Sequence, residues 1–182
     1  MGLRFGLPVT ESDTLFVGAN AEQTEIREGS GGVTLPAEYR KYANTYGAVS
    51  TALPLTLGWA RDARDSALVP TRGSLQRLNA DVSVAGDVRY ARTNYQFQQY
   101  FPLTKKYTFA LNADLGWGQG LQGQDYPLFK NFYVGGLGSV RGFQQSTLGP
   151  PSSTTGIYLG GPKKLVFNAE LITPFPGAGN DK

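Results

Sequence analysis

The stretch Tyr107-Thr-Phe-Ala-Leu-Asn-Ala-Asp-Leu-Gly-Trp117 alternates at every step between apolar residues and residues that are mostly small or polar. Successive side chains of a β-strand point to opposite faces, so this period of two predicts a strand with one apolar face and one polar face. The apolar face carries Tyr107, Phe109, Leu111, Ala113, Leu115 and Trp117. Strands of soluble proteins average about 5–6 residues, and this segment is clearly longer.

The same alternation recurs along the rest of the chain. It is found in 52–59, 77–84, 91–101 and 165–171, less clearly in 14–26, and in 2–8, which resembles a strand without its beginning. The sequence therefore predicts an all-β fold of about seven antiparallel strands, several of them long. One short helix is predicted at 36–47, with proline near its first turn and glycine at its end.

The connections between these strands fall into two groups. Short, turn-like ones are predicted at 8–13, 62–73, 102–106 and 176–182. On the other side lie two long loops, 27–49 and 119–162, and the tight turn Gly86-Asp87. Short turns on one side, long loops on the other and aromatic residues near the strand ends are typical of an outer-membrane β-barrel.

Composition excludes several classes of function. The 182 residues include neither cysteine nor histidine, which excludes thiol nucleophiles, Cys/His zinc sites and Ser-His-Asp triads. The net charge of +3 is spread along the chain, and Lys105-Lys106 is too small a cluster to predict a nucleic-acid interface. No run of about 18 apolar residues occurs, so no transmembrane helix is expected. The chain opens on an alternating segment without a signal-peptide pattern, which indicates either a cytosolic protein or a piece of a longer chain.

The segment Gly135-Gly-Leu-Gly-Ser-Val-Arg-Gly-Phe143 is the strongest candidate for a functional motif. Glycine allows positive φ and close backbone approach, so the run predicts a loop folded tightly against another surface. An arginine in such a loop needs acceptors, because an unpaired buried guanidinium is costly. Glu170 lies on the polar face of the following strand, and we expect it to be the partner of Arg141.

The longer stretch Asn131-Phe-Tyr-Val-Gly-Gly-Leu-Gly-Ser-Val-Arg-Gly-Phe143, followed by Thr147-Leu-Gly-Pro150, resembles a loop of the BamA family of outer-membrane protein assembly factors. The hallmark of that family is Val-Arg-Gly-Phe, here Val140, Arg141, Gly142 and Phe143, and the glycines Gly135, Gly136 and Gly138 support it. Further segments match in order, namely Trp59-Ala-Arg-Asp-Ala-Arg-Asp65, Pro70-Thr-Arg-Gly73 and Ala169-Glu-Leu-Ile-Thr-Pro174. The loop helix at 36–47 also matches, which favours this family over the related secretion pores.

The resemblance implies a segment of a sixteen-stranded transmembrane β-barrel in the bacterial outer membrane, covering about strands six to twelve. Residues 1–182 would be part of one barrel domain, and 119–162 would be an extracellular loop folded into the lumen with Arg141 pointing inward and Phe143 packed beside it. The implied function is the folding and insertion of outer-membrane proteins. The implied partners are unfolded substrates, Bam-type lipoproteins and the lipid bilayer, without nucleic acid, enzymatic activity, metal or cofactor.

Other interpretations of these features remain open at this point. A passive porin or a two-partner secretion pore would share the barrel but keep an open lumen. A soluble β-sandwich would bury the face of Leu111 and Leu115 against a second sheet. The glycine run lacks the spacing and the Gly-Lys-Ser/Thr ending of a phosphate-binding loop. The carboxylates Asp62, Asp65, Asp81 and Asp114 form no paired catalytic motif, and we expect them in turns or along a wet lumen.

Overall fold

Strand pairing follows the alternation in the sequence. The computed structural model describes residues 1–28 and 34–174, in which there are eight strands and one α-helix. The strands are β1 (Gly2–Pro8), β2 (Asp13–Asn20), β3 (Glu22–Glu25), β4 (Val49–Asp62), β5 (Gly73–Gly86), β6 (Tyr90–Pro102), β7 (Thr108–Gly120) and β8 (Lys163–Ile172). The helix α1 spans Ala37–Tyr46, as the sequence predicts, and a single 3-10 turn spans Leu128–Lys130.

All strands belong to one antiparallel sheet with the order β1-β2-β4-β5-β6-β7-β8. The segment predicted as one strand at 14–26 is two strands, β2 and β3, which are separated at Ala21 and pair with successive parts of β4. The structure therefore has eight strands in the described residues, one more than the sequence predicts. The sheet is still seven strands wide, because β2 and β3 both pair with β4. The turn expected at 176–182 lies outside the described residues.

The two faces of the sheet differ sharply in chemistry. Cross-strand partners share a face, so the register joins Leu57 to Val17 and Ala80, and Tyr95 to Leu78 and Leu115. The prediction that 50–118 form four consecutive strands with one apolar face is confirmed. Large exposed side chains on this apolar face are Leu3, Phe5, Leu7, Leu15, Val17, Leu55, Leu57, Leu78, Val82, Leu111, Trp117, Leu165, Phe167 and Leu171.

The polar face is partly covered by the loop that follows β7. A small core of Ala52, Val88 and Tyr90 lies at this end of the sheet, and Tyr126 and Phe129 from the loop pack against it. No helix among residues 1–28 and 34–174 is long and apolar enough to cross a membrane. The buried side chains of the described residues lie on the polar face of the sheet or in the loops that rest on it.

The pairing of β4 with β5 contains one irregularity. The register shifts by one residue between Ala52, opposite Gly86, and Pro54, opposite Ser83. Proline has no backbone N–H for the ladder. Beside it, the fully buried Ser83 hydroxyl accepts a hydrogen bond from the Leu53 backbone N–H at 3.2 Å. The bulge and the serine together complete the hydrogen bonding that a regular ladder would supply.

Candidate functional site at the polar face

The polar face carries a cross-strand network of charged and amide groups. Asp114 on β7 accepts hydrogen bonds from Asn94 on β6 at 2.9 Å and from the Lys164 ammonium on β8 at 2.6 Å. Asp81 on β5 accepts one from the Thr56 hydroxyl on β4 at 2.8 Å. Both aspartates are thus where the sequence predicted, and they tie neighbouring strands together rather than pairing with each other.

The other two aspartates lie at the end of β4 and in the turn that follows it. Asp62 forms an ion pair with Arg64 at 2.7 Å. Asp65 accepts hydrogen bonds from the Thr71 hydroxyl and from two backbone N–H groups, which lower the pKa of its carboxyl to about 2. Within the described ranges, no group of three or more acidic side chains could hold a metal ion. These carboxylates therefore stabilise a turn.

The long connection between β7 and β8 folds back across the polar face. Gly116 and Gly118 make room for it, because a Cβ on either residue would lie within 3.0 Å of the ring of Phe132 or Tyr126. Phe132 is 5 % exposed and forms an isolated antiparallel bridge with Gly161. Further bridges join Val134 to Leu148 and Gly136 to Val140. The loop is therefore an ordered structure built against the sheet.

The structure brings Arg141 and Glu170 together. The Arg141 Nη2 atom lies 3.2 Å from Glu170 Oε2, in an ion pair between the loop and β8. Next to it, the Asn168 side-chain amide donates to the Ser139 carbonyl at 2.8 Å. Within the strands and loops that the structure describes, the Arg141 side chain is 68 % exposed and that of Glu170 is 28 % exposed. The expected partner is present.

The remaining motif residues agree only in part with expectation. Phe143 was expected to pack against the wall and exclude water, and within the described residues it is 53 % exposed. Val140 takes part in the bridge to Gly136. Gly135, Gly136 and Gly142 have positive φ values of 119°, 91° and 89°, which explains the need for glycine. Gly138 has ordinary φ and open space around it, so its predicted role is not visible.

The helix α1 docks onto the same long loop. The Glu38 carboxylate accepts hydrogen bonds from the Ser152 hydroxyl at 2.7 Å and from the backbone N–H of Ser153 at 3.0 Å. At the other end of the helix, the Tyr46 hydroxyl accepts from the Asp125 N–H at 2.9 Å. The hydrogen bonds from Ser153 and Ser152 hold the pKa of the Glu38 carboxyl at about 2, well below its ordinary value of 4.5. The connection that contains α1 and the connection between β7 and β8 are thus joined to each other by hydrogen bonds.

Sequence reasoning missed two parts of this site. The contact of α1 with residues 152–154 joins segments that are more than 110 residues apart, and no local pattern indicates it. No role was predicted for Phe132 within the loop, because a single aromatic residue there carries no periodic signal. The available clue was the alternation of Gly116, Gly118 and Gly120 on one face of β7, where large side chains would be expected unless something packs there.

A long-stranded antiparallel sheet with an apolar outer face, a polar inner face and a loop folded over the inner face is a segment of a transmembrane β-barrel of the outer-membrane type. The family comparison agrees with this class. The model described as "Omp85 superfamily domain" matches residues 1–182, and the chain belongs to that superfamily. The polar face therefore lines the lumen, and the protein resides in the bacterial outer membrane.

Individual relatives support the same assignment. The chain is 37 % identical over 187 residues to the outer membrane protein assembly factor BamA of Neisseria meningitidis, which covers 97 % of this chain and 24 % of that protein. It is 32 % identical over 117 residues to the sorting and assembly machinery component 50 homolog of Mus musculus, covering 63 % of this chain and 24 % of that one. Both relatives are assembly components by name.

A solved structure has the same fold. The crystal structure of BamA from Haemophilus ducreyi lacking POTRA domains 1–3 superposes with a TM-score of 0.89 and 22 % identity, covering 99 % of this chain and 38 % of that one. The predicted fold, an antiparallel barrel segment with one short loop helix, is confirmed. The chain spans about a quarter of the length of the curated relatives it matches.

Proposed function

We propose that this chain is part of an outer-membrane barrel that folds other outer-membrane proteins and inserts them into the bilayer. Residues 1–182 would belong to one barrel domain, and residues 119–162 would be its extracellular, lumen-folded loop. The observation that carries the proposal is the position of that loop, which contacts the lumenal wall through both Phe132 and Arg141. A loop held across the lumen suits an assembly factor better than an open channel.

The chemistry required is non-covalent, so we propose no enzymatic activity, nucleotide or cofactor. A substrate strand in the bilayer must satisfy its backbone groups, since unpaired N–H and C=O groups are costly in lipid. Pairing with a strand edge of the assembly factor supplies those hydrogen bonds. In this proposal the pairing occurs at a seam elsewhere in the barrel, while the present strands form the closed wall. The partners would be unfolded outer-membrane proteins, the bilayer and Bam-type lipoproteins.

A passive porin or two-partner secretion pore is the second candidate. One observation favours it: a cavity of about 290 Å³ remains between the loop and the wall, lined by polar residues such as Gln96, Asn112 and Asn168. If this space continued through the whole barrel, it would conduct ions. Arg141 and Glu170, which form the ion pair, both line this cavity.

Reconstitution of the full-length protein in phospholipid vesicles separates the two functions. An assembly factor should accelerate the folding of an added unfolded outer-membrane protein, measured by its acquired protease resistance, and should show little steady conductance in planar bilayers. Arg141→Ala should slow that folding while the barrel itself stays folded. Steady conductance without any acceleration of substrate folding would instead identify a pore.

A further inference from the structure

Phe132 lies at a point where three neighbouring strands meet the loop. Its ring rests on Gly116 of β7, where a Cβ would approach three ring carbons to 2.9–3.0 Å. On one side, the Arg92 Cζ atom of β6 lies 4.4 Å from the ring centroid, and on the other the Lys164 ammonium of β8 lies 5.4 Å from it. The register places Lys164 directly opposite Gly116, so the two cations and the glycine form a cradle around one ring.

The electrostatics of this cradle suit an aromatic ring in particular. Cations within about 6 Å of a ring centroid are attracted by the negative charge of its face. The Arg92 Nε atom is buried and has no hydrogen-bond partner among the described residues, and the Arg92 Cζ atom lies over the ring of Phe132. Lys164 is shared between the ring and the Asp114 carboxylate. An aliphatic side chain of similar size would fill the space but leave both cations without this attraction.

The backbone of Phe132 is fixed as firmly as its side chain. Its N–H donates to the Gly161 carbonyl at 2.8 Å, and the Gly161 N–H donates back to the Phe132 carbonyl at 3.0 Å. This bridge closes the base of the loop, and the glycine-rich motif begins three residues later. The ion pair of Arg141 with Glu170 lies further along the loop, near its tip.

We infer that Phe132 is the positioning residue that holds the base of the long loop against the lumenal wall, while Arg141 holds its tip. The inference rests on the proposed function, because it assigns the base of the lumen-folded loop to a second anchor. Burial supports the assignment, because Phe132 is 5 % exposed and its backbone is paired with that of Gly161. Loss of Phe132 should therefore release the whole loop, and loss of Arg141 should release only its tip.

Hydrogen exchange of the full-length protein in detergent micelles can measure the two anchors separately. The Phe132 and Gly161 amides report on the base, and the Gly136 amide, which donates to Phe143, reports on the tip. Phe132→Leu should speed exchange at both base and tip by about tenfold. Arg141→Ala should speed exchange at the tip alone. Unchanged base amides in Phe132→Leu, or a loosened base in Arg141→Ala, would overturn the inference.

A matched glycine pair tests the cradle without altering the ring. Gly116→Ala places a methyl group against Phe132 and should speed exchange at the base. Gly138→Ala adds the same methyl group where no atom lies within 4 Å and should leave exchange unchanged. Equal exchange rates in the two variants would contradict the proposed contact.

Fluorinated phenylalanines at position 132 separate electrostatics from packing. Each added fluorine weakens the negative charge of the ring face while changing its shape little, so base exchange should rise stepwise with fluorine number. A flat response would reduce Phe132 to a packing residue and overturn its assignment as a cation-held anchor. Substrate folding is assayed in parallel: a released loop with normal assembly would refute the bracing function, whereas a loop that stays protected would refute the anchor itself.

Discussion

Leu57 offers the sharpest test of which face meets lipid. It lies on β4 with apolar cross-strand neighbours, Val17 and Ala80, and its side chain is 61 % exposed. Leu57→Arg would place a charge in the apolar band, which costs about 2–4 kcal/mol near the bilayer midplane. This cost lowers the ratio of folded to unfolded protein by about 30-fold to about 700-fold.

The adjacent residue supplies the control. Thr56 points to the lumen, where it lies opposite Asp81 and Gly18. Thr56→Arg loses the 2.8 Å hydrogen bond to Asp81 but offers that carboxylate a cation in its place. In a water-filled lumen the net change should stay within about 1 kcal/mol. The two single substitutions would then differ in their effect on the free energy of unfolding solely because neighbouring side chains of a strand face opposite ways.

The assay is denaturant unfolding of the full-length barrel in phospholipid vesicles, followed by tryptophan fluorescence. Leu57→Arg should lower the midpoint strongly, and Thr56→Arg should leave it close to that of the unaltered protein. Equal destabilisation by the two variants, or a larger effect of Thr56→Arg, would refute the assignment of the apolar face to lipid.

Three further predictions follow from contacts in the loops and at the sheet edges. Arg141→Ala should weaken the loop tip by about 0.2–1 kcal/mol, because its ion pair with Glu170 is largely exposed, and Arg141→Lys should restore part of that loss in protease-resistance assays. The contact of Glu38 with Ser152 and Ser153 should persist at neutral pH and weaken as the pH falls from about 4.5 toward about 2, because folding lowers the pKa of the Glu38 carboxyl. Cross-linking of α1 to the loop across a pH series would show this. Residues 1–182 expressed alone should need detergent or self-associate, because β1 and β8 each have one unpaired edge, and size-exclusion chromatography would reveal it.

Each of these predictions has a clear contrary outcome. Full protease resistance of the loop in Arg141→Ala would show that the ion pair is dispensable. A helix contact that strengthens on acidification would contradict the lowered pKa of Glu38, and Glu38→Gln serves as the control without titration. A monodisperse, detergent-free monomer with a cooperative thermal transition would contradict the expectation for the isolated sheet.

The parts of this fold that sequence could predict are those with a local repeating signal. The alternation through Tyr107–Trp117 predicted both the strand and its two faces, because side chains at odd and even positions of a strand point to opposite sides. Glu170 could be paired with Arg141 for the same reason, since parity placed it on the polar face. The break between β2 and β3 at Ala21 was missed because alternation continues weakly across it.

The parts that sequence could not predict depend on where the long loops travel. Glu38 and Ser152 are separated in the chain by the four strands β4 to β7, and neither residue type is unusual in its own segment. Phe143 was placed on the wall because its neighbour Arg141 contacts the wall. Gly142 between them has a φ of 89°, so the strand-like rule that relates neighbouring side chains does not apply there.

The bulge at Pro54 and Ser83 has a consequence for the size of the barrel. The radius of a closed sheet depends on the number of strands and on the sum of the staggers between neighbours around the circumference. The one-residue shift between β4 and β5 enters that sum directly. A regular ladder could slide by two residues and keep every side chain on its face, but the missing N–H of proline and the buried hydroxyl of serine match in only one alignment. A single proline–serine pair thus helps to fix the width of the lumen.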